Sequence, residues 1–462
     1  MLNLKDYINY IIKNLHCIFL LGYTAAGVLV SLFRYWQFET FYYDFGIYDQ
    51  AIWRVSRFQP PIIDHFVRTG QWIFADHFTP SLFLLSPLYW ITSRAEIQLI
   101  AQVVAVSLSG WVLYKIGISV LKDRFISFAI MVSYLLFVGL QNALITDIHP
   151  DVFATLPFML TVYSFVRNKK RSYYLWLLIF LGFKENFFLV SAGLAIFIWF
   201  VNKKWRKISL ITLVISLLWG WLSIKIIIPY FAGDLYQYAP TDLGSMLRDL
   251  TFLIDHPIKR KTLFDSLLSF GFLPLLFPPA YPLILQDLSV RFFPQFSYLR
   301  WGMSMHYSVQ LAGIMGVSSI YACLRFGKKA RLYYGIVLVI VALFMHQFYL
   351  HGPLALAYNR AFYPHTKNLH FLEELVNKVP KDASVMTQNN LAVRFTHQDV
   401  MLLRDNYEVY NPDYIVLDLR DEQNPNVFFG LKDKDSLLTF LLRDKNYEAI
   451  FQTEYQYVFQ KK

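Results

Sequence analysis

Charged residues are scarce in this chain of 462 residues. They make up 16% of it, whereas soluble domains carry about 25%. Apolar residues reach 56% and aromatic residues 18%. Helices of this composition need an apolar solvent, and lipid supplies it. The low charge therefore argues against an ordinary soluble protein and predicts a polytopic α-helical membrane protein.

Cysteines and the common catalytic motifs are also few or missing. Cys17 and Cys323 lie in apolar runs and form neither a disulfide framework nor a metal-ligand spacing. There is no Walker motif, no GxSxG and no HExxH, so ATP-driven transport, serine hydrolysis and zinc-protease chemistry have no support. The first apolar run lacks a small-residue cleavage site, which predicts an anchored helix.

Long apolar runs are abundant, and a membrane span needs about 20 such residues. Tyr173–Val201 is interrupted by Lys184, Glu185 and Asn186, which predicts two short helices joined by a polar turn. Leu263–Leu288 carries four prolines, which predict a broken hairpin. The other runs are Leu15–Trp36, Ile97–Leu121, Phe125–Ala143, Val152–Val166, Ile208–Phe231, Tyr307–Leu324 and Leu332–Leu350.

The net charge of +11 would suggest nucleic acid in a soluble protein, but here the basic residues cluster in short loops between apolar runs. This bias orients membrane proteins, so we expect about eleven crossings, a cytoplasmic N-terminus and no nucleic-acid partner. The chain after His351 is then extracytoplasmic. One cluster, Lys259 to Lys261, falls on the outer side and disagrees with this arrangement.

The composition changes near residue 355. We therefore predict a transmembrane domain over residues 1–355, with an outer catalytic loop over residues 37–96, and a small extracytoplasmic α/β domain over residues 356–462. The short runs Ser384–Thr387, Tyr414–Asp418 and Tyr447–Thr453 predict strands, and Asn368–Lys378 and Ser436–Leu442 predict helices.

The loop after the first apolar run contains two carboxylates, Asp44 and Asp49, five positions apart. A carboxylate there can act as a general base on an acceptor hydroxyl or amine. The alternative is that Asp44 caps a short helix, which Asp does well.

A second outer loop contains Asp147, His149 and Asp151 within five residues. With His77, the first two are candidate ligands of a divalent metal ion. The alternative is a polar turn in which Pro150 starts the next helix.

Two further clusters are candidate substrate contacts. Lys184 and Glu185 are ionisable residues inside an apolar stretch, where such residues are usually functional. Lys184 is suited to a lipid-linked phosphate, although an internal Lys–Glu pair is the alternative. Four residues lie in a later aromatic-rich loop and are suited either to a headgroup or to an interfacial belt. They are Arg291, Arg300, His306 and Tyr307.

These segments together resemble the predicted membrane proteins called domain of unknown function 2079. The resemblance rests on the run from Tyr43 to Gln50, on Asp76-His77 with Pro80, on Ile148-His149-Pro150 and on Lys184-Glu185. It implies that Tyr48, Gln50 and His77 contact substrate. Family members more often have Asp after Lys-Glu. Asn186 stands there in this chain, which argues against a metal ligand at that position.

That family in turn resembles the GT-C glycosyltransferases, and the matching residues are Asp44, Tyr48, Gly70-Gln71-Trp72 and Pro87. The resemblance implies that Asp44 is the catalytic acid of that pattern. Phe45 does not supply the second acidic residue that GT-C enzymes often carry beside it, so Asp49 or Asp147 would have to.

We therefore expect a glycosyltransferase of a prokaryotic plasma membrane. It would move a sugar from a polyprenyl-phosphate donor to a glycan, lipid or protein on the outer face, with Asp44 as the general base. A transporter or flippase of a lipid-linked or polar solute is the first alternative, because broken helices often line transport sites. A non-catalytic assembly scaffold is the second.

Overall fold

The computed structural model describes residues 4–64, 70–238, 250–293, 297–421 and 423–462, and it is mostly helical. Within these ranges, five helices are long and apolar enough to cross a membrane. They are Asn14–Trp36, Glu96–Leu121, Lys203–Ala232, Tyr298–Arg325 and Lys328–Tyr349. A sixth span is formed if Arg124–Leu136 and Val138–Ile145, bent by 50°, count as one.

The expected eleven crossings are not confirmed. Three further apolar helices have only 10–17 residues, namely Pro80–Ile91, Pro150–Val166 and Phe187–Val201. At 1.5 Å per residue they fall short of the roughly 30 Å hydrocarbon layer. A short helix can reach part of the way into the layer when its end is covered by protein.

The two interrupted stretches are broken into separate elements, as predicted. Lys170–Leu181 and Phe187–Val201 are separate helices around the Lys184–Asn186 turn. The proline-rich stretch breaks into Pro257–Ser269, two 3-10 turns at Leu273–Leu276 and Pro278–Ala280, and Tyr281–Phe292.

In the segment between the first two spans, residues 37–64 and 70–95 form short elements. It begins with a π-helical turn, Tyr42–Gly46, that runs into the helix Ile47–Ser56. Strands β1 (Ile62–Ile63) and β2 (Gln71–Trp72) pair antiparallel. The 3-10 turns Ile73–Ala75 and Pro80–Leu85 and the helix Leu88–Ile91 complete it.

The C-terminal region forms a five-stranded sheet in the order β4-β3-β5-β7-β6. Its strands are β3 (Val385–Thr387), β4 (Val400–Leu402), β5 (Tyr414–Asp418), β6 (Tyr447–Gln452) and β7 (Gln456–Lys461). β3 pairs parallel with β4 and β5, and β7 pairs antiparallel with β5 and β6. The same region contains the helices Phe371–Val376 and Lys434–Arg443. The small α/β region is thus confirmed, although the sequence analysis missed β4 and β7.

The C-terminal sheet packs directly on the segment after the first helix. The buried carboxylate of Asp64 accepts hydrogen bonds from the Leu402 amide and from Arg404, both at 2.8 Å. Arg394 donates to the Tyr35 carbonyl at 2.8 Å and stacks over the Tyr35 ring. The carboxyl end of β4 and the turn after β3 therefore support the loop that carries Asp44.

Candidate functional site

Asp44 lies inside the π-helical turn Tyr42–Gly46 and is half-buried. The N-cap positions are Phe41 for this turn and Gly46 for the next helix, so the alternative that Asp44 caps a helix is wrong. Glycine is needed at position 46 because a Cβ there would lie 2.2 Å from the Tyr42 ring. Within this tight turn, the Asp44 carboxylate does not occupy an N-cap position of either helix.

The turn that holds Asp147 and His149 is fixed by one side chain. Gln102 donates from Nε2 to the Asp147 carbonyl at 2.7 Å and accepts the His149 amide at 2.9 Å. Both Asp147 and His149 are almost fully buried. The polar turn is therefore a rigid part of the protein interior.

Asp44 interacts electrostatically with this turn. Burial raises the pKa of Asp147 well above its usual range, and the nearby Asp44 carboxylate raises it further. Burial lowers the pKa of His149, which Asp44 and Asp151 oppose. The three side chains thus share one region, and the Tyr48 ring lies 6.4 Å from the His149 ring.

Asp49 faces a different neighbour. Its fully buried carboxylate accepts hydrogen bonds from the hydroxyls of Tyr89 and Thr396, the latter at 2.6 Å. The third partner is His397 Nε2 at 3.0 Å. The His397 ring in turn stacks on Trp53, with 4.0 Å between centroids. Asp49 therefore joins the loop to the C-terminal sheet region, and its expected catalytic role stays a prediction.

Gln50, like Asp49, lies where the loop meets the C-terminal region. Its side chain accepts the Tyr42 hydroxyl and donates to the Gln398 carbonyl at 3.2 Å. The bond to Gln398 holds the loop to the C-terminal region. A contact between Gln50 and substrate stays a prediction.

His77 belongs to a connected set of acidic and aromatic side chains. Its Nδ1 lies 2.9 Å from Glu185 and its Nε2 3.7 Å from Asp76. Tyr236 donates to Glu185 at 2.8 Å, and Tyr238 donates to Asp76 at 2.9 Å. Burial disfavours the imidazolium, but the two carboxylates outweigh it and raise the pKa of His77. Burial by itself would raise the pKa of Glu185, but the nearby His77 and Lys184 lower that pKa to about 2.

Lys184 pairs with Asp151 instead of Glu185. The buried Lys184 ammonium donates to the Asp151 carboxylate at 2.8 Å. Gln310 donates to the Asp151 carbonyl at 2.8 Å, which fixes that residue from the other side. An ammonium has three donors, and the Asp151 bond uses one of them.

Arg291 and Arg300 lie beside the same region. Arg291 donates to the Gly302 carbonyl at 3.0 Å, and its Nη1 lies 3.6 Å from Asp287. That Nη1 has no hydrogen-bond partner among the described residues. Arg300 lies over the rings of Tyr307 and Tyr238, at 4.9 and 5.6 Å.

A cavity of about 440 Å³ is lined by six of the thirteen predicted site residues, but not by Asp44, Asp49, Asp147 or His149. Its polar lining includes Lys184, Glu185 and His77, with Arg291, Arg300 and Tyr307. Its apolar lining comes from the helices Phe187–Val201 and Tyr281–Phe292 and from Ile224. Six of the expected substrate contacts, including His77, which is also a predicted metal ligand, thus line one space, which joins charged groups to apolar helix faces.

The predicted metal set is not assembled. Within the described residues there is no group of three or more His, Cys, Asp or Glu side chains that could hold a metal ion. His77 is engaged with Glu185, whereas His149 packs against His306, with 3.9 Å between ring centroids. These residues do not fit a three-ligand site, and a metal requirement stays a prediction.

The sequence model of a family described as Predicted membrane protein (DUF2079) matches residues 34–454. The chain belongs to this family. The match confirms the resemblance drawn from the signature segments, and it spans both the Asp44 loop and most of the C-terminal sheet. No curated protein is a significant match to this DUF2079 chain.

Among solved structures, ArnT from Cupriavidus metallidurans in the apo state is similar to this DUF2079 chain. The two chains are 11% identical, and the alignment covers 95% of this chain and 98% of ArnT with a TM-score of 0.50. At this identity the likeness shows the fold alone. The chain is a membrane protein whose fold is similar to that of ArnT.

Several site residues were missed by sequence reasoning. Tyr236 and Tyr238 line the cavity, and Thr396 and His397 hold Asp49. The tyrosines follow an apolar span, where aromatic residues are common, so nothing in the sequence separated them from an interfacial belt. The pairing of His397 with Asp49 joins positions 348 residues apart, a contact that no local pattern encodes.

Proposed function

We propose that this protein is a membrane glycosyltransferase that takes a sugar from a polyprenyl-phosphate donor and transfers it to an acceptor at the outer membrane face. The single observation that carries the proposal is the cavity, because its lining combines cationic side chains, which lie beside the carboxylates of Asp151, Glu185 and Asp287, with apolar helix faces. A lipid-linked phosphate has one part complementary to each, namely an anionic phosphate and an apolar chain. The GT-C-like fold supports the reaction class.

The cationic residues give the cavity its preference for a phosphate. Arg291 Nη1 is buried, lies 3.6 Å from the Asp287 carboxylate and has no hydrogen-bond partner in the described part of the chain. Lys184 retains two donors beyond its bond to Asp151. Charge-assisted hydrogen bonds from such groups are roughly twice as strong as neutral ones. They would bind the donor phosphate and stabilise the charge that remains on it when the sugar leaves.

Asp44 is the proposed general base. It would accept the proton of the acceptor hydroxyl or amine while that oxygen or nitrogen bonds to the anomeric carbon of the sugar. The bond from that carbon to the phosphate oxygen breaks, and polyprenyl phosphate leaves with the bonding electrons. No step is routed through a metal ion, because the described residues do not assemble a ligand set.

The test is sugar transfer by the purified full chain in liposomes, from polyprenyl-phosphate sugars to membrane acceptors. Asp44→Asn should lower the rate about 10²–10⁴-fold, because it removes the base while keeping the size of the side chain. Asp382→Asn, at an exposed carboxylate of the C-terminal region, is the matched control and should keep full activity.

Other outcomes would replace the proposal. Full activity of Asp44→Asn would remove Asp44 as the base. Movement of lipid between leaflets without transfer would favour the flippase, and neither activity with any donor would favour the scaffold. Transfer that survives chelation would show that no exchangeable divalent metal is needed.

A further inference from the structure

Three large apolar side chains are exposed together at the end of the helix Ile47–Ser56. Phe58, Trp90 and Ile91, which we call the apolar patch, are 87%, 61% and 79% exposed. The Phe58 and Trp90 rings stack, with 6.3 Å between centroids and 29° between ring planes, and Ile91 follows Trp90 in the chain. Single exposed apolar residues are common in proteins, whereas a group of them in contact marks an interaction surface.

The backbone at Phe58 is strained. Its φ is 58°, in the left-handed region that side chains with a Cβ rarely adopt. Phe58 directly follows Arg57, the C-cap of the helix, and glycine is the usual residue at that position. A glycine there would relieve the strain and remove an aromatic ring from solvent. The exposed ring therefore indicates a contact outside the chain.

The patch is held rigidly on the helix end. The Trp90 indole N–H donates to the Ser56 carbonyl at 2.9 Å, which satisfies one of the carbonyls that a helix end leaves unpaired. Beside it, Cζ of Arg57 lies 4.2 Å from the centroid of the Trp53 ring. The exposed rings thus belong to a fixed surface of the protein.

This surface lies near the ends of two membrane spans. Trp36, the last residue of the first span, donates from Nε1 to Glu96, the first residue of the second span, at 3.2 Å. Both span ends therefore lie at one membrane face. Ile91 precedes Glu96 by five residues, so the extended chain places it at most about 18 Å away. Tryptophan is also enriched at membrane–water interfaces, and Trp90 is part of the patch.

The charges around the patch are positive. Arg57 precedes Phe58, Arg94 follows Ile91 by three residues, and both arginines are exposed. The stretches 57–60 and 84–94 contain no Asp or Glu. Apolar side chains next to arginines complement a lipid leaflet, in which anionic headgroups lie above the hydrocarbon layer. The surface is also continuous with the span ends, which already meet lipid.

We propose that the apolar patch inserts into the leaflet at this membrane face, and that Arg57 and Arg94 bind its anionic phospholipid headgroups. The inference goes beyond the proposed reaction and does not depend on it. The helix Ile47–Ser56 begins three residues after Asp44, so a patch fixed in the leaflet sets the depth of the Asp44 turn relative to the bilayer.

The test is fluorescence quenching at single sites of the full chain in vesicles of phosphatidylcholine and phosphatidylglycerol. A bimane label is attached at Phe58→Cys, with Cys17 and Cys323 replaced by serine. Nitroxides on lipid acyl chains should quench this label more than iodide on both sides of the bilayer, because the label lies in lipid.

Phe440→Cys is the matched control for the label. Phe440 is also an exposed phenylalanine, at 63%, and it lies on the helix Lys434–Arg443 that packs against β6. β6 is the edge of the sheet opposite β4, which contacts the Asp44 loop. A label at Phe440→Cys should be quenched more by iodide than by the acyl-chain nitroxides.

The headgroup contact is tested with the same Phe58→Cys label. Nitroxide-bearing phosphatidylglycerol should quench it more than nitroxide-bearing phosphatidylcholine at equal mole fraction, since each basic residue near the surface favours anionic lipid about fivefold. Arg57→Gln combined with Arg94→Gln should make the two lipids quench equally. Arg443→Gln, at an exposed arginine of the C-terminal region, is the control and should keep the difference.

The other outcomes overturn the inference. Stronger quenching by iodide than by acyl-chain nitroxides at Phe58→Cys would show that the patch faces water. Protection from both quenchers would show that a protein surface covers it. Equal quenching by the two lipids with both arginines present would remove the headgroup contact. Ile91→Cys is the second label site if Phe58→Cys does not fold, and no readout involves sugar transfer, so the proposed function can fail separately.

Discussion

At the scale of single residues, the pairing of His77 with Glu185 predicts that the stability of the protein depends on pH. Hydrogen bonds that involve a charged group contribute about 1.5–3 kcal/mol. The folded pKa of His77 lies above its ordinary value of 6.5, so its contribution is fully present below pH 6.5 and is lost as the pH rises through the folded pKa. The folded pKa of Glu185 is about 2, against an ordinary 4.5, so its contribution is present above pH 4.5 and is lost as the pH falls toward 2.

We therefore expect the melting temperature of wild type in detergent to fall more steeply above pH 6.5 than that of His77→Asn. The measurement is thermal unfolding from pH 5 to pH 9, followed by intrinsic fluorescence. His370→Asn is the control, since His370 is exposed and lies 3.7 Å from an exposed Glu374. Identical pH profiles for wild type and His77→Asn would contradict the pairing.

At the scale of elements, the helix Ile47–Ser56 and the C-terminal sheet region are joined by one buried carboxylate. Asp49 accepts hydrogen bonds from Tyr89, Thr396 and His397. Asp49→Ala leaves all three donors without their acceptor, and a buried polar group left without its partner costs about 1–3 kcal/mol. We expect a large drop in melting temperature and faster proteolytic release of the C-terminal region.

An exposed ion pair across the same contact is the comparison for that prediction. Arg54 donates to Asp399 at 2.5 Å, and the Asp399 side chain is 73% exposed. Exposed pairs contribute about 0–1 kcal/mol, so Asp399→Asn should lower the melting temperature only slightly. Equal effects of Asp49→Ala and Asp399→Asn would show that Asp49 does not anchor the two regions.

At the scale of the whole molecule, the loop charges predict the orientation in the membrane. The clusters Arg167–Arg171 and Lys203–Lys207 should be cytoplasmic and the C-terminal region extracytoplasmic. We expect Asp421→Cys, at an exposed site, to react with an impermeant maleimide in intact cells and Lys204→Cys to be protected. Both changes are made with Cys17 and Cys323 replaced by serine, and permeabilised cells show that each site can react. The reverse pattern would invert the orientation.

The sequence by itself determined the membrane class, the two interrupted helical stretches, most of the C-terminal strands and the family. These features follow from composition and from the local spacing of apolar, charged and proline residues. The extent of single helices was also encoded locally, since Ile97–Leu121 was predicted and the structure has Glu96–Leu121. Local sequence did not determine which helices cross the membrane by themselves. A helix of 10–17 residues is too short to span the bilayer, so its ends must be covered by neighbouring helices.

Only the tertiary structure decided how the polar residues divide into groups. Asp44 and Asp49 are five positions apart, yet Asp44 interacts with His149 and Asp49 binds His397, because successive turns of chain face different neighbours. Lys184 and Glu185 are adjacent, yet one pairs with Asp151 and the other with His77. Burial makes an unpaired charge expensive, so Asp49, Lys184 and Glu185 are matched by the partners that the packing of distant segments provides. That matching depends on the assembled bundle and cannot be obtained from spacing along the chain.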